Sequence, residues 1–335
     1  MVEINDISKY ITIVAGSIMC LFGLIGNLLN IGVFYSWSFT RTQINKQQTK
    51  QKTKQQKTGN SPLYLLMSSI ANLIVVIYAL PTRILFDGFQ YYVSTDRIFL
   101  LCKFRYYCLH TFDLISLTCL CMATIDRYLI SSREVRLRQL STTRRGTKLI
   151  ILFIICIHSL HSIPLIVYFS ASTSGSCFVN SSIYLYYYRY TFQIIFHGII
   201  PLITFSLFGY LTSKQLKSFR TRQNFNVNFH IDRQLSRMLF LMSIAIVCSS
   251  IPYSAENIYY LIFTDQTQQQ TPIVLFLHNI SSLCFYTNPV CCFYIYFIST
   301  SNFRFQVKKI FLAKQFNNRV GSNQTKTVAA IIILG

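Results

Sequence analysis

Residues 102–128 read CKFRYYCLHTFDLISLTCLCMATIDRY. A helix of about 20 mostly apolar residues crosses the roughly 30 Å hydrocarbon core of a bilayer, and this stretch exceeds that length. Five charges interrupt it: Lys103, Arg105, Asp113, Asp126 and the Arg127 that follows it. A charge inside a spanning helix ordinarily faces the interior of a bundle or a wet cavity, because lipid cannot solvate it. The stretch therefore reads as a membrane helix that other helices surround. Its weak hydropathy is itself a sign of function.

Six further apolar runs lie on either side of it, at about 11–37, 62–86, 148–170, 190–212, 236–263 and 272–298. The 335 residues would accommodate two soluble domains on length alone. Composition excludes that arrangement: apolar residues are 52 % and charged residues 12 %, the latter about half the globular norm. With 28 Phe and 22 Tyr, so many aromatics among so few charges suit a surface facing lipid. The expected fold is all-α, a bundle of seven transmembrane helices spanning residues 11–298.

A net charge of +21 raises the possibility of nucleic-acid binding. That would need a continuous basic face on a folded soluble domain, and no uninterrupted polar stretch is long enough to build one. The basic residues instead collect between alternate apolar runs. Of the 31 Lys and Arg, only Lys9, Arg83, Arg97, Lys103, Arg105 and Arg189 fall toward the other side. The positive-inside rule then places residues 1–10 outside and 38–61, 129–147, 213–235 and 299–335 inside. The first span is expected to serve as an uncleaved anchor, its apolar run being too long for a signal core. Residues 40–60 are rich in Gln, Lys and Thr without an apolar face and read as a solvated low-complexity loop. Phe303, Phe305, Val307, Ile310 and Phe311 interleave with Arg304, Lys308 and Lys309, the pattern of a short amphipathic helix on the inner surface. The closing apolar run at 328–334 is too short to span.

Single positions narrow the family. Asp126-Arg127-Tyr128 closes the third span, and Cys102 precedes Arg127 by 25 residues, roughly 37 Å of helix. Gly26-Asn27 stands in the first span, Asn288-Pro289 in the seventh, and Pro81, Pro164, Pro201 and Pro252 in the second, fourth, fifth and sixth. In these motifs and their register the chain resembles the rhodopsin-like (class A) G-protein-coupled receptors over about residues 10–312, with the look of divergent invertebrate peptide receptors. The resemblance implies a plasma-membrane receptor that binds an extracellular ligand and activates a heterotrimeric G protein, without a cofactor. It implies a disulfide from Cys102 to Cys177, the only cysteine of the fourth-to-fifth connection. It also implies a switch in which Arg127 pairs at rest with Asp126 and Asp232, assisted by Asn288, Pro289 and Tyr296. Asn27, Asn72 and Ser116 take the places of the family's interhelical polar core.

Several positions depart from the family pattern. Asn72 stands where most members carry an aspartate, which predicts weak or absent sodium sensitivity. Ser250 replaces the tryptophan of the sixth helix, and Trp37 is the only tryptophan in the chain. Cys292 occupies the usual tyrosine position of the seventh helix, with Tyr296 one turn further, seven residues before Phe303. These changes support, as the alternative reading, a non-signalling or decoy receptor.

The upper half of the third span is polar, with Arg105, His110 and Asp113; His110 and Asp113, three residues apart, share a helix face. Gln193, His197, Glu256, Asn257 and His278 on other spans complete a candidate ligand pocket. Leu109 stands where amine receptors carry an aspartate, and the seventh span has no lysine for a retinal Schiff base. A peptide is the expected ligand. Asn180-Ser181-Ser182 is a glycosylation sequon in the outer second loop. No HExxH, GxSxG or metal-spaced His/Cys cluster marks an enzyme, and a transporter would ordinarily show internal repeats or Gly-broken half-helices.

Overall fold

The computed structural model describes residues 2–50, 60–89, 102–132, 134–141, 143–171, 177–220, 227–263 and 272–310. Among them, seven helices are long and apolar enough to cross a membrane. They are α1 (Val2–Lys50), α2 (Ser61–Gly88), α3 (Phe104–Ser131), α4 (Arg144–Tyr168), α5 (Ser182–Gln215), α6 (Val227–Phe263) and α7 (Pro272–Ser299). A short helix, α8, follows at 301–310. The expected bundle is present; α1, α5 and α6 begin eight or nine residues ahead of the apolar runs read from the sequence. The largest extension is in α1, whose backbone stays helical through Lys50. Gln, Lys and Thr there lack an apolar face, but Gln and Lys are fair helix formers. The remainder of the low-complexity stretch, 51–59, lies outside the described residues.

Helix α3 is the axis. It packs against α2, α4, α5 and α6, while α1 closes the ring between α2 and α7. Of the most apolar 18 residues of each helix, 78 % are buried in α3 but only 22 % in α4. The helix that carries Arg105, Asp113, Asp126 and Arg127 is thus the most enclosed, as the cost of exposing charge to lipid requires. On α4, Leu149, Leu152, Phe153 and Leu160 point outward, an apolar face suited to lipid.

Prolines shape the helices that carry the site. A proline ring cannot donate and crowds the carbonyl four residues earlier, so the preceding turn widens or breaks. In α2, π-helical turns at Val75–Ala79 and Ile84–Gly88 flank Pro81. In α5, the segment Tyr188–Ile199 before Pro201 is π-helical. In α4 the helix breaks at Ser162, just before Pro164. Such wide turns rotate side chains away from the ordinary register and are common where a site is built.

Between α4 and α5, strands β1 (Phe169–Ala171) and β2 (Cys177–Val179) pair antiparallel, with Ala171 opposite Cys177. The Cys102–Cys177 disulfide ties this hairpin to the start of α3, with Cα atoms 5.9 Å apart. Asn180 follows β2 and is exposed. At the opposite end, Phe303 and Val307 of α8 are buried while Arg304, Phe305 and Lys308 are exposed. Phe303 packs among Phe34, Trp37, Phe293 and Tyr296, with ring centroids 5.8–6.1 Å apart. Of the five apolar residues read as the face of α8, Phe305 thus points away, and Phe311 lies outside the described residues.

Candidate functional site

Three groups of polar residues lie along α3. At its Asp126 end, the Asp126 carboxylate accepts hydrogen bonds from Ser61 N (2.9 Å), Ser61 Oγ (2.6 Å) and Ser141 Oγ (3.1 Å). Ser61 opens α2, where backbone N–H groups have no partner within the helix, and no side chain of α2's own caps it. Asp126 supplies that cap from a neighbouring helix, with its charge at the positive end of the α2 dipole. The Ser61 hydroxyl also accepts from Arg127 Nε at 2.7 Å, so one serine joins the acid and the base. Tyr128 packs at 5.4 Å against Phe208 of α5. The side chain of Asp232, expected to pair with Arg127, lies outside the described residues. Gln234, two residues further along α6, bonds Ser301 Oγ (3.0 Å) and Asn302 N (3.2 Å) at the start of α8.

Halfway along the bundle, the Gly26-Asn27 pair does two things at once. A Cβ on Gly26 would lie 2.9 Å from Phe293 Cβ, so only glycine lets α1 approach α7 this closely. Asn27 Nδ2 then donates to the Pro289 carbonyl at 2.8 Å. Asn72 Nδ2 donates to Cys292 Sγ (3.4 Å) and Ser116 shares a 2.8 Å bond with Ser68. Asn288 is buried beside them, its carbonyl accepting from Cys292 Sγ at 3.1 Å. Tyr296, one turn beyond Cys292, is buried against Phe34 at 5.6 Å and does not join this polar layer. A sodium ion entering here would lose its hydration without gaining a carboxylate, since Asn72 is neutral and Asp113 Oδ2 sits 2.9 Å from His197 Nδ1. Exchanging sodium for N-methylglucamine at constant ionic strength is expected to leave basal and ligand-stimulated nucleotide exchange unchanged.

At the disulfide end, α3, α5, α6 and α7 converge. His110 Nε2 bonds Tyr188 Oη at 2.6 Å, and Gln193 Nε2 donates to the same hydroxyl at 2.9 Å. The rings of His110 and His197 lie 5.8 Å apart. His110 and Asp113, read as one face of α3, therefore both meet α5, each through a different partner. Phe285 of α7 links His197 (5.5 Å) to Tyr253 of α6 (5.3 Å). Beyond them Glu256 bonds His278 Nδ1 at 2.5 Å and accepts from Ser281 Oγ. Asn257 does not join: its Nδ2 folds back onto the Tyr253 carbonyl at 2.8 Å. Arg105 stands apart from these histidines, facing Asp87 of α2 together with Arg83.

Sequence reading missed Ser61, Ser141, Tyr188, Ser281, Arg83 and Asp87 as partners. Only the last two carried a signal, an oppositely charged pair four residues apart at the end of an apolar run. The others are uncharged and reach their partners across helices, where spacing along one chain is silent.

Residues 48–296 match the model of the seven-transmembrane receptors of the rhodopsin family. The chain belongs to that family. Known relatives in the family include neuromedin-U receptor 2 of Mus musculus, 20 % identical over 316 residues that cover 90 % of this chain and 74 % of the relative. The Rattus norvegicus protein of the same name is 20 % identical over the same shares. The Homo sapiens protein is 19 % identical over 249 residues, 68 % of this chain and 59 % of its own. This rhodopsin-family receptor carries the Cys102–Cys177 disulfide at one end of α3 and Asp126-Arg127-Tyr128 at the other. Ser250, read from the sequence as replacing a tryptophan, turns its Oγ onto the Ile246 carbonyl of its own helix at 2.8 Å.

Proposed function

We propose that this receptor sits in the plasma membrane with its N-terminus outside, binds an extracellular peptide between α3, α5, α6 and α7, and activates a heterotrimeric G protein. The observation that carries this reading is α3 itself. One buried helix presents an aromatic and histidine-rich cluster at its disulfide end and the Asp126–Ser61–Arg127 cluster at the other. A peptide ligand is supported by relatives named neuromedin-U receptors and by the aromatic lining of Tyr188, Phe192, Tyr253 and Phe285. The orientation is supported by the basic residues collected at the Asp126 end.

The mechanism is a shift between two populations. At rest the acid and base at the end of α3 are joined through Ser61, and Gln234 ties the adjoining end of α6 to α8. A ligand that binds better when α6 has swung outward about Pro252 favours the state in which Gln234 is released and Arg127 is free to meet the G protein. The basic inner loops complement an acidic partner surface. Guanine-nucleotide exchange in membranes holding this chain and a panel of G proteins tests the reading. Exchange is expected above background and is expected to fall to background in Arg127→Ala at equal surface expression. Surface delivery and peptide binding without exchange would instead support a decoy receptor, the reading that Ser250 and Cys292 favour.

A further inference from the structure

We propose that Arg83 and Arg105 form a cradle for a carboxylate of the ligand; the inference rests on the receptor reading above and specifies its ligand chemistry. Both side chains are enclosed, at 7 % and 6 % exposure. Among the described residues, one carboxylate lies within ion-pair distance of either. Asp87 Oδ2 is 3.5 Å from Arg83 Nε and 3.9 Å from Arg105 Nη1. Neither approach has hydrogen-bond geometry, and these same two nitrogens are buried without an acceptor among the described residues. A guanidinium stays charged under all conditions a protein meets. Among the described residues, two full positive charges therefore share one negative charge, and neither of these two nitrogens has an acceptor.

The surroundings fix what could complete the cradle. Arg105 lies over the rings of Phe86 (5.4 Å) and Tyr106 (4.9 Å), and Arg83 over that of Tyr286 (5.4 Å). Ring faces stabilise the cations from the side but supply no acceptor to Arg83 Nε or Arg105 Nη1. Arg83 Nη2 donates at 3.5 Å to Asn279 O and Oδ1, so the open donors are one nitrogen from each guanidinium, which a carboxylate can accept together. One surplus positive charge matches one carboxylate better than a doubly charged phosphate. Asp87, 34 % exposed, can turn toward solvent as the ligand enters. The same rings would pack on an apolar side chain next to the bound carboxylate. A free peptide C-terminus and an acidic side chain share this chemistry.

The test uses the full chain in lipid nanodiscs and follows its melting temperature during titration with small probes. The probes are N-acetylphenylalanine, its amide, and N-acetylaspartyl-phenylalanine amide. Stabilisation by either acid, with none by N-acetylphenylalanine amide, is expected; which acid acts separates a C-terminal from a side-chain carboxylate. Arg83→Gln and Arg105→Gln are each expected to weaken the response by about tenfold, the scale of one charged hydrogen bond. Asp87→Asn, which frees both guanidiniums, is expected to tighten it, and it keeps the test decisive if a glutamine variant does not fold. Equal response to acid and amide, no response to either acid, or an affinity unmoved by Asp87→Asn overturns the cradle. Arg127-dependent exchange is read separately. A receptor that couples but ignores the carboxylate refutes the cradle alone, and one that binds the acid without coupling refutes the signalling reading alone.

Discussion

Asp126→Asn is expected to raise nucleotide exchange in the absence of ligand by roughly an order of magnitude. The carboxylate accepts three hydrogen bonds, from Ser61 N, Ser61 Oγ and Ser141 Oγ, and a charged acceptor makes each about twice as strong as a neutral one does. An asparagine at 126 keeps the shape, but its NH2 faces donors on one side and its oxygen can serve only part of the set. The loss to the resting state is about 2 kcal/mol, or ~30-fold in the ratio of active to resting receptor. A receptor resting at 1:99 would then stand near about 1:3. Ser61→Ala is expected to act in the same direction but less strongly, because it removes the hydroxyl that Arg127 Nε also uses and leaves the charge at the head of α2. The measurement is ligand-free exchange normalised to surface receptor. Basal output equal to wild type in Asp126→Asn would mean that the Asp126–Ser61–Arg127 cluster supports the helix ends without restraining activation.

The sequence made the bundle legible because each crossing must be apolar over a fixed length, a constraint read from one chain without knowledge of its neighbours. The ends were less legible. Helix α4 starts at Arg144, ahead of the apolar run, because Thr143 accepts from Gly146 N at 3.2 Å, and α1 continues through Lys50 into residues that read as loop. Within the candidate site, charge singles out Asp113, His197, Glu256 and His278, and the structure pairs Asp113 with His197 and Glu256 with His278. The partners that decide how those groups behave carry no such mark. Ser61 is an unremarkable serine before a proline until α2 and α3 are packed, and its role depends on the register between them. Tyr188 meets His110 from the first residue of the π-helical segment before Pro201, a local distortion that no helical periodicity foretells. Asn257, chosen for its polarity on α6, donates to its own helix at the Tyr253 carbonyl, a local bond that a polar residue's identity does not foretell.

Removing the disulfide should act on the other end of α3 and leave the switch intact. Cys102 and Cys177 are 75 residues apart in sequence, and closing a loop of that length restrains the unfolded chain by about 4 kcal/mol on the chain-entropy account. The bond also fixes the hairpin on which Phe169 stacks against Tyr106 at 4.3 Å and meets Tyr188 at 5.7 Å. Cys177→Ser is therefore expected to lower the melting temperature in detergent by ~10 °C and to reduce surface delivery and ligand binding severely. Combined with Asp126→Asn, it is expected to preserve the raised ligand-free exchange of each receptor that does reach the surface. The two sites lie roughly 37 Å apart along α3, far beyond the range at which substitutions ordinarily couple. Equal exchange per surface receptor in the single and double variants would show that the disulfide end shapes binding and stability while the Ser61 cluster alone sets the resting state. A loss of constitutive exchange in the double variant would instead make α3 a rigid lever, through which fixing the mouth biases the far end even without ligand.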